Sequence, residues 1–129
     1  LIEAAGGLKE GCEKVISGGP MMGFAMYTTD TPITKTSSSI LCMSKDEVSA
    51  CEPTACINCG RCVDACPSRI IPSRLADFAE RHDEEAFLKF NGLECVECGS
   101  CSYVCPAKRQ LKQAIGSMRK TALANKKKK

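Results

Sequence analysis

The chain has 129 residues, 5% aromatic content, no Trp and eleven cysteines. That length accommodates one ordinary domain or two small ones, and the shortage of aromatics excludes a large aromatic-rich core. The formal charge is only +3, and Lys126 to Lys129 alone contribute four positive charges, so the basicity is a local terminal run and not a face for nucleic acid.

No apolar run approaches the ~18 residues of a membrane span. The opening "LIEAAGGLKE" has neither a basic n-region nor an apolar h-region, so no secretory signal is read there. An odd number of cysteines, eight of them in two tight clusters, argues against a disulfide framework.

In chain order, "LIEAAGG" predicts a short helix stopped by Gly6 and Gly7. "KVISGGPMMGFAMYTTDTPITK" is rich in Gly, Pro, Thr and β-branched residues. It predicts short strands and turns with Val15, Ile16, Phe24 and Tyr27 in the core. "GGPMMG" lacks the spacing of either phosphate-binding glycine motif, so a tight turn is expected there. "SSSILCM" predicts a further strand that buries Cys42. Residues 1–43 thus read as the end of a small α+β domain.

Ser44 followed by Glu47 has the form of a capping box, which predicts a short helix ending before Pro53. "SRLADFAERH" after Pro72 carries Leu75, Phe78 and Ala79 at helical spacing. "DEEAFLKF" predicts another short helix, opened by the acidic turn Asp83, Glu84 and Glu85 and stopped by Asn91 and Gly92. After Pro106, Leu111, Ile115 and Met118 predict one longer helix running into the lysine tail. That tail reads as a solvated terminus, with contact to acidic head groups or an acidic partner as the alternative.

Two cysteine modules lie between these helices. Each has the form C-x2-C-x2-C-x3-C-P: Cys56, Cys59, Cys62 and Cys66 before Pro67, and Cys95, Cys98, Cys101 and Cys105 before Pro106. Thiolate is the ligand of an iron–sulfur cubane, which requires four of them. In two-cluster ferredoxins with this run, the fourth cysteine of each module ligates the other module's cluster. One [4Fe–4S] cluster is therefore expected on Cys56, Cys59, Cys62 and Cys105, and a second on Cys95, Cys98, Cys101 and Cys66. Eight thiolates and two oxidised cubane cores would bring the formal charge from +3 to about −1. Zinc ribbons need only four ligands and no C-x3-C-P ending. Gly60 and Gly99 are expected to let backbone N–H groups approach the clusters. Cys12, Cys42 and Cys51 lack ligand spacing and are not expected to be ligands, and His82 is expected at the surface. No catalytic triad or acid pair is visible.

The stretches "IEAAGGLKE", "VISGGPMMGFAM", "TPITKTSSSIL", "CINCGRCVDACP" and "GLECVECGSCSYVCPAKRQL", in this order, resemble the C subunit of the Rnf electron-transport complex over nearly the whole chain. Ser39 stands where that pattern suggests glycine, and Gln110 where proline is common. The resemblance implies an α+β chain. Residues 1–43 would be the C-terminal part of an SLBB-type β-grasp domain, residues 44–122 a mainly α-helical two-[4Fe–4S] ferredoxin domain, and residues 123–129 a basic tail. It also implies a larger N-terminal part holding FMN and NADH, similar to the flavin-bearing subunit of respiratory complex I. The clusters would relay electrons between that flavin site and a partner iron–sulfur subunit, within a ferredoxin:NAD+ oxidoreductase that moves ions. The subunit would be peripheral, on the cytoplasmic face of the inner membrane. The alternatives from sequence are a free-standing ferredoxin, an iron–sulfur subunit of another flavin oxidoreductase, and a module whose clusters serve assembly.

Overall fold

A computed structural model describes residues 1–47 and 50–127. The chain is α+β and divides into two compact units, Leu1–Cys51 and Glu52–Lys129.

The first unit is a three-stranded antiparallel sheet: β1 (Lys14–Ser17), β2 (Phe24–Ala25) and β3 (Ile40–Met43), in the order β2-β1-β3. Val15 lies opposite Cys42 and Ile16 opposite Leu41 in the β1–β3 register. The opening segment forms one 3-10 turn, Glu3–Ala5, ended by Gly6 in the left-handed conformation (φ 99°) that glycine adopts without strain. "GGPMMG" is the β1–β2 connection, closed by the Gly23 N–H donating to the Gly19 carbonyl at 2.8 Å. A Cβ at Gly23 would stand 2.7 Å from Ile16 Cγ2 and 2.8 Å from the Ser17 carbonyl, so only glycine fits that approach.

Three expectations for this unit are corrected. Ile16 is buried, but Phe24 and Tyr27 are 63% and 105% exposed. β2 is a two-residue edge strand, and this unit has no second layer of described structure to cover Phe24. Cys42, expected in the core, is exposed for the same reason. The helix expected from Ser44 is absent from the described residues: Ser44 to Glu47 form a bend and a turn, while Val48 and Ser49 lie outside them. The Asp46 N–H donates to the Glu13 carboxylate at 2.9 Å, and the Asp46 carboxylate accepts from Lys14 Nζ at 2.6 Å. These sheet contacts hold the segment where a local capping box would have started a helix.

Among the described residues of the second unit every regular element is helical: α1 (Arg61–Asp64), α2 (Pro72–Glu80), α3 (Glu84–Lys89), a 3-10 turn at Gly92–Glu94, α4 (Ser100–Tyr103) and α5 (Leu111–Lys127). α2 starts at Pro72, whose missing N–H is harmless in a first turn. α3 is capped by Asp83, whose carboxylate accepts the Ala86 N–H at 2.9 Å. α2 and α5 pack together through Leu75, Ala76 and Ala79 on one side and Leu111, Ile115 and Met118 on the other, with Phe87 of α3 fully buried beside them. The Phe78 and Phe90 rings lie 5.1 Å apart at 53°. Gly92 is required by packing, because a Cβ there would run into the Phe87 ring. Among the described residues, no helix is long and apolar enough to cross a membrane.

Candidate metal centre

The two cysteine modules fold alike. In each, the residue just before the second cysteine, Asn58 or Glu97, is left-handed (φ 53° and 54°), and so is the glycine just after it, Gly60 or Gly99 (φ 78° and 85°). A four-residue helix follows, α1 or α4, carrying the third cysteine on its buried side. Arg69 and Lys108, three residues past the fourth cysteine, repeat the same left-handed turn (φ 52° and 53°). Gly60 serves the backbone conformation more than space: a Cβ there would meet nothing within 4 Å, but its φ is one that side-chain-bearing residues rarely adopt.

Around these modules lie two cavities. One is lined by Cys56, Cys59, Cys62 and Cys105, with Asn58 and Arg109. The other is lined by Cys66, Cys95, Cys98 and Cys101, with Glu97 and Lys112. Each cavity thus takes three cysteines from one module and the fourth from the other. Among the described residues no three His, Cys, Asp or Glu side chains gather closely enough to hold a single metal ion. Four cysteines lining each cavity are the donor set that an iron–sulfur cubane, with its four metal corners, requires.

The thiols differ in their surroundings. Burial pushes Cys101 up to about 11, and burial also raises Cys95. Cys98 is lowered, chiefly by its side-chain hydrogen bond with Ser100, at 3.5 Å. The Glu97 N–H donates to Cys95 Sγ at 3.4 Å. Such contacts bias a sulfur toward the charged form it must take as a ligand.

Two ion-pair systems hold the modules in place. Arg109 donates to Asp77 and Glu80 of α2, each at 2.9 Å, tying the loop after Pro106 to the helix that follows the first module. Burial by itself would lower the Arg109 guanidinium, but these two carboxylates together raise it above its ordinary value. Arg119 of α5 donates to Glu97 at 3.2 Å and to the Leu93 carbonyl at 3.1 Å. Sequence reasoning passed over Glu97, Ser100, Arg109 and Arg119. Glu97 alone left a signal, since aligning the modules sets it against Asn58 between two cysteines.

The remaining cysteines lie elsewhere. Cys12, Cys42 and Cys51 belong to the first unit and line neither cavity. His82 is exposed, just past the end of α2.

Residues 55–109 match the family model described as a 4Fe-4S dicluster domain. The chain is 42% identical over 128 residues, 99% of its length, to the C subunit of the Na(+)-translocating ferredoxin:NAD(+) oxidoreductase complex of Acetobacterium woodii. It is 51% identical over 88% of its length to the C subunit of the proton-translocating ferredoxin:NAD(+) oxidoreductase complex of Clostridium ljungdahlii. It is 46% identical over 89% of its length to the C subunit of the ion-translocating oxidoreductase complex of Methanosarcina acetivorans. By sequence the chain is similar to the C subunits of Rnf-type complexes. It spans 29%, 25% and 26% of the length of these relatives. Its dicluster segment is of an iron–sulfur type, and that segment coincides with the two modules and the helices between them.

Proposed function

We propose that this chain is an electron relay of two [4Fe–4S] clusters within an Rnf-type ion-translocating ferredoxin:NAD+ oxidoreductase. The observation that carries the reading is the crossed distribution of eight cysteines, four around each of two cavities. Cys56, Cys59, Cys62 and Cys105 would hold one cluster, and Cys95, Cys98, Cys101 and Cys66 the other. When bound, such clusters store and pass single electrons. The protein supplies the thiolates, the hydrogen bonds to sulfur and the packing that keeps the two sites adjacent.

The names of the relatives support a place beside other members of such a complex; we further propose a flavin and nicotinamide site elsewhere in the same subunit and an iron–sulfur subunit as redox partner. On this reading residues 1–43 are the C-terminal part of an SLBB-type β-grasp domain, residues 44–122 the ferredoxin domain and residues 123–129 a basic tail. The subunit is then peripheral, on the cytoplasmic side of the membrane. A free-standing ferredoxin would need neither the three-stranded unit nor the 17-residue α5.

Anaerobic reconstitution with iron and sulfide tests this. Two clusters per chain, reversibly reducible and visible by EPR, are expected. Cys66→Ala should damage the cluster based on Cys95, Cys98 and Cys101. Loss of only the other cluster would sink the crossed assignment, and a chain that binds no iron–sulfur cluster would sink the function.

A further inference from the structure

The two modules are alike in ligands, length and backbone, so any electrical difference between the clusters must come from the residues between and around the cysteines. At the one position where both modules place a left-handed, non-glycine residue between the first two cysteines, the first has Asn58 and the second Glu97. Asn58 is neutral, and its side-chain oxygen lies 3.8 Å from Cys56 Sγ. Glu97 lines the other cavity with a carboxylate whose side chain is 23% exposed.

That carboxylate is held on two sides. Its Oε1 accepts from Arg119 at 3.2 Å. Its Oε2 lies against α5 at Gly116, 3.0 Å from where a Cβ would stand. Gly116 is buried, and a Cβ there would press on that oxygen unless the carboxylate moved by a few tenths of an ångström. A glutamate at positive φ is itself uncommon. Arg119 and the close approach of α5 at Gly116 thus flank one carboxylate beside one cavity.

We infer that Glu97, with Arg119 as its moderator, sets the reduction potential of the cluster bound by Cys66, Cys95, Cys98 and Cys101 independently of the other cluster. This rests on the two-cluster reading above. A fixed negative charge disfavours adding an electron nearby, and a paired cation offsets part of that effect. Lys112 lines the same cavity, but it is unchanged in every variant below and cancels in the comparison. Asn58 leaves the other cluster without such a charge at the equivalent place. Glu97 is a positioning group for electron affinity, not a ligand.

The test is an EPR-monitored potentiometric titration of the full chain with its clusters assembled, at fixed salt. Glu97→Gln should raise one of the two midpoints and leave the other in place. The expected size is about tenfold in that cluster's reduction equilibrium, about 59 mV for one electron. Arg119→Gln should lower the same midpoint, because it strips the carboxylate of its partner. Asn58→Asp should lower the other one. Glu97→Asp should keep the wild-type value. A merely structural role would not produce shifts of opposite sign from the two halves of one ion pair. If Glu97→Gln moved neither step, or both equally, or if Arg119→Gln shifted its step in the same direction, the inference would be overturned. Should Glu97→Gln fail to load, the Arg119 and Asn58 variants decide it by their signs. Iron and sulfide analysis of the wild type separates the two levels: absent clusters refute the relay, whereas intact clusters with unmoved potentials refute only the role of Glu97.

Discussion

Cys101 lies on α4 and is buried against the packed centre of the second unit, and burial raises its thiol to about 11 from an ordinary 9.0. In the metal-free chain this has a definite consequence for stability. Between 9 and about 11 the folded state keeps the proton that the unfolded state has lost, so stability falls as pH rises through that window and is fully present below it. Thermal melts of the reduced, metal-free chain across that window should show this loss, and Cys101→Ala should reduce it, leaving the smaller share that belongs to buried Cys95. On the proposed two-cluster reading the sulfur would be a thiolate ligand, and assembly at neutral pH should release its proton to solvent. Cys98 is the counterpart: its contact with Ser100 already favours the thiolate. Two thiols of one cavity thus differ because one is buried in the core and the other lies beside a hydroxyl.

At the scale of elements, the second module is secured to the first through α2. Arg109 follows Pro106 by three residues and is only 11% exposed, yet both its partners lie on α2. The Asp77 bond is the better protected of the two, since Glu80 is more open to water and its pairing is screened. Arg109→Ala should cost about 1–2 kcal/mol in urea unfolding, the worth of a charged hydrogen bond reduced by that exposure. The loss should shrink at high salt. α2 and α5 otherwise meet through aliphatic residues at helical spacing, and Phe87 fills the gap that Gly92 leaves for it.

Over the whole molecule, each cavity draws on cysteines that are far apart in sequence, so a bound cluster would cross-link the two modules. Anything that binds only the folded state stabilises it by mass action, about 4 kcal/mol at a thousand times the dissociation constant. Loading should therefore raise the melting midpoint of the second unit, and removing iron with a chelator should reverse the gain. Hydrogen exchange at the amides of α1 and α4, which are single turns, is the sensitive measure: protection there should rise most on loading. Equal protection with and without clusters would show that the helical core holds these turns unaided.

The local chemistry of the chain is legible in its residues alone. Two C-x2-C-x2-C-x3-C-P runs, Pro72 at a helix start, Asp83 at another, and Leu111, Ile115 and Met118 at one spacing are all short-range signals, because ligand geometry, capping and helical periodicity act within a few residues. What local signals could not decide was everything that depends on a distant partner. Phe24, Tyr27 and Cys42 look like core residues by type, but their exposure depends on whether a second layer covers the sheet. Ser44 and Glu47 look like a helix start, but Glu13 and Lys14 take the backbone and side chain of Asp46 from across the sheet. Glu97 looks like a spacer between two cysteines until α5 brings Arg119 and Gly116 to it. The crossed pairing of cysteines is already an expectation of the repeated motif, but the cavities that gather four of them each exist only because the helical core packs the two modules together.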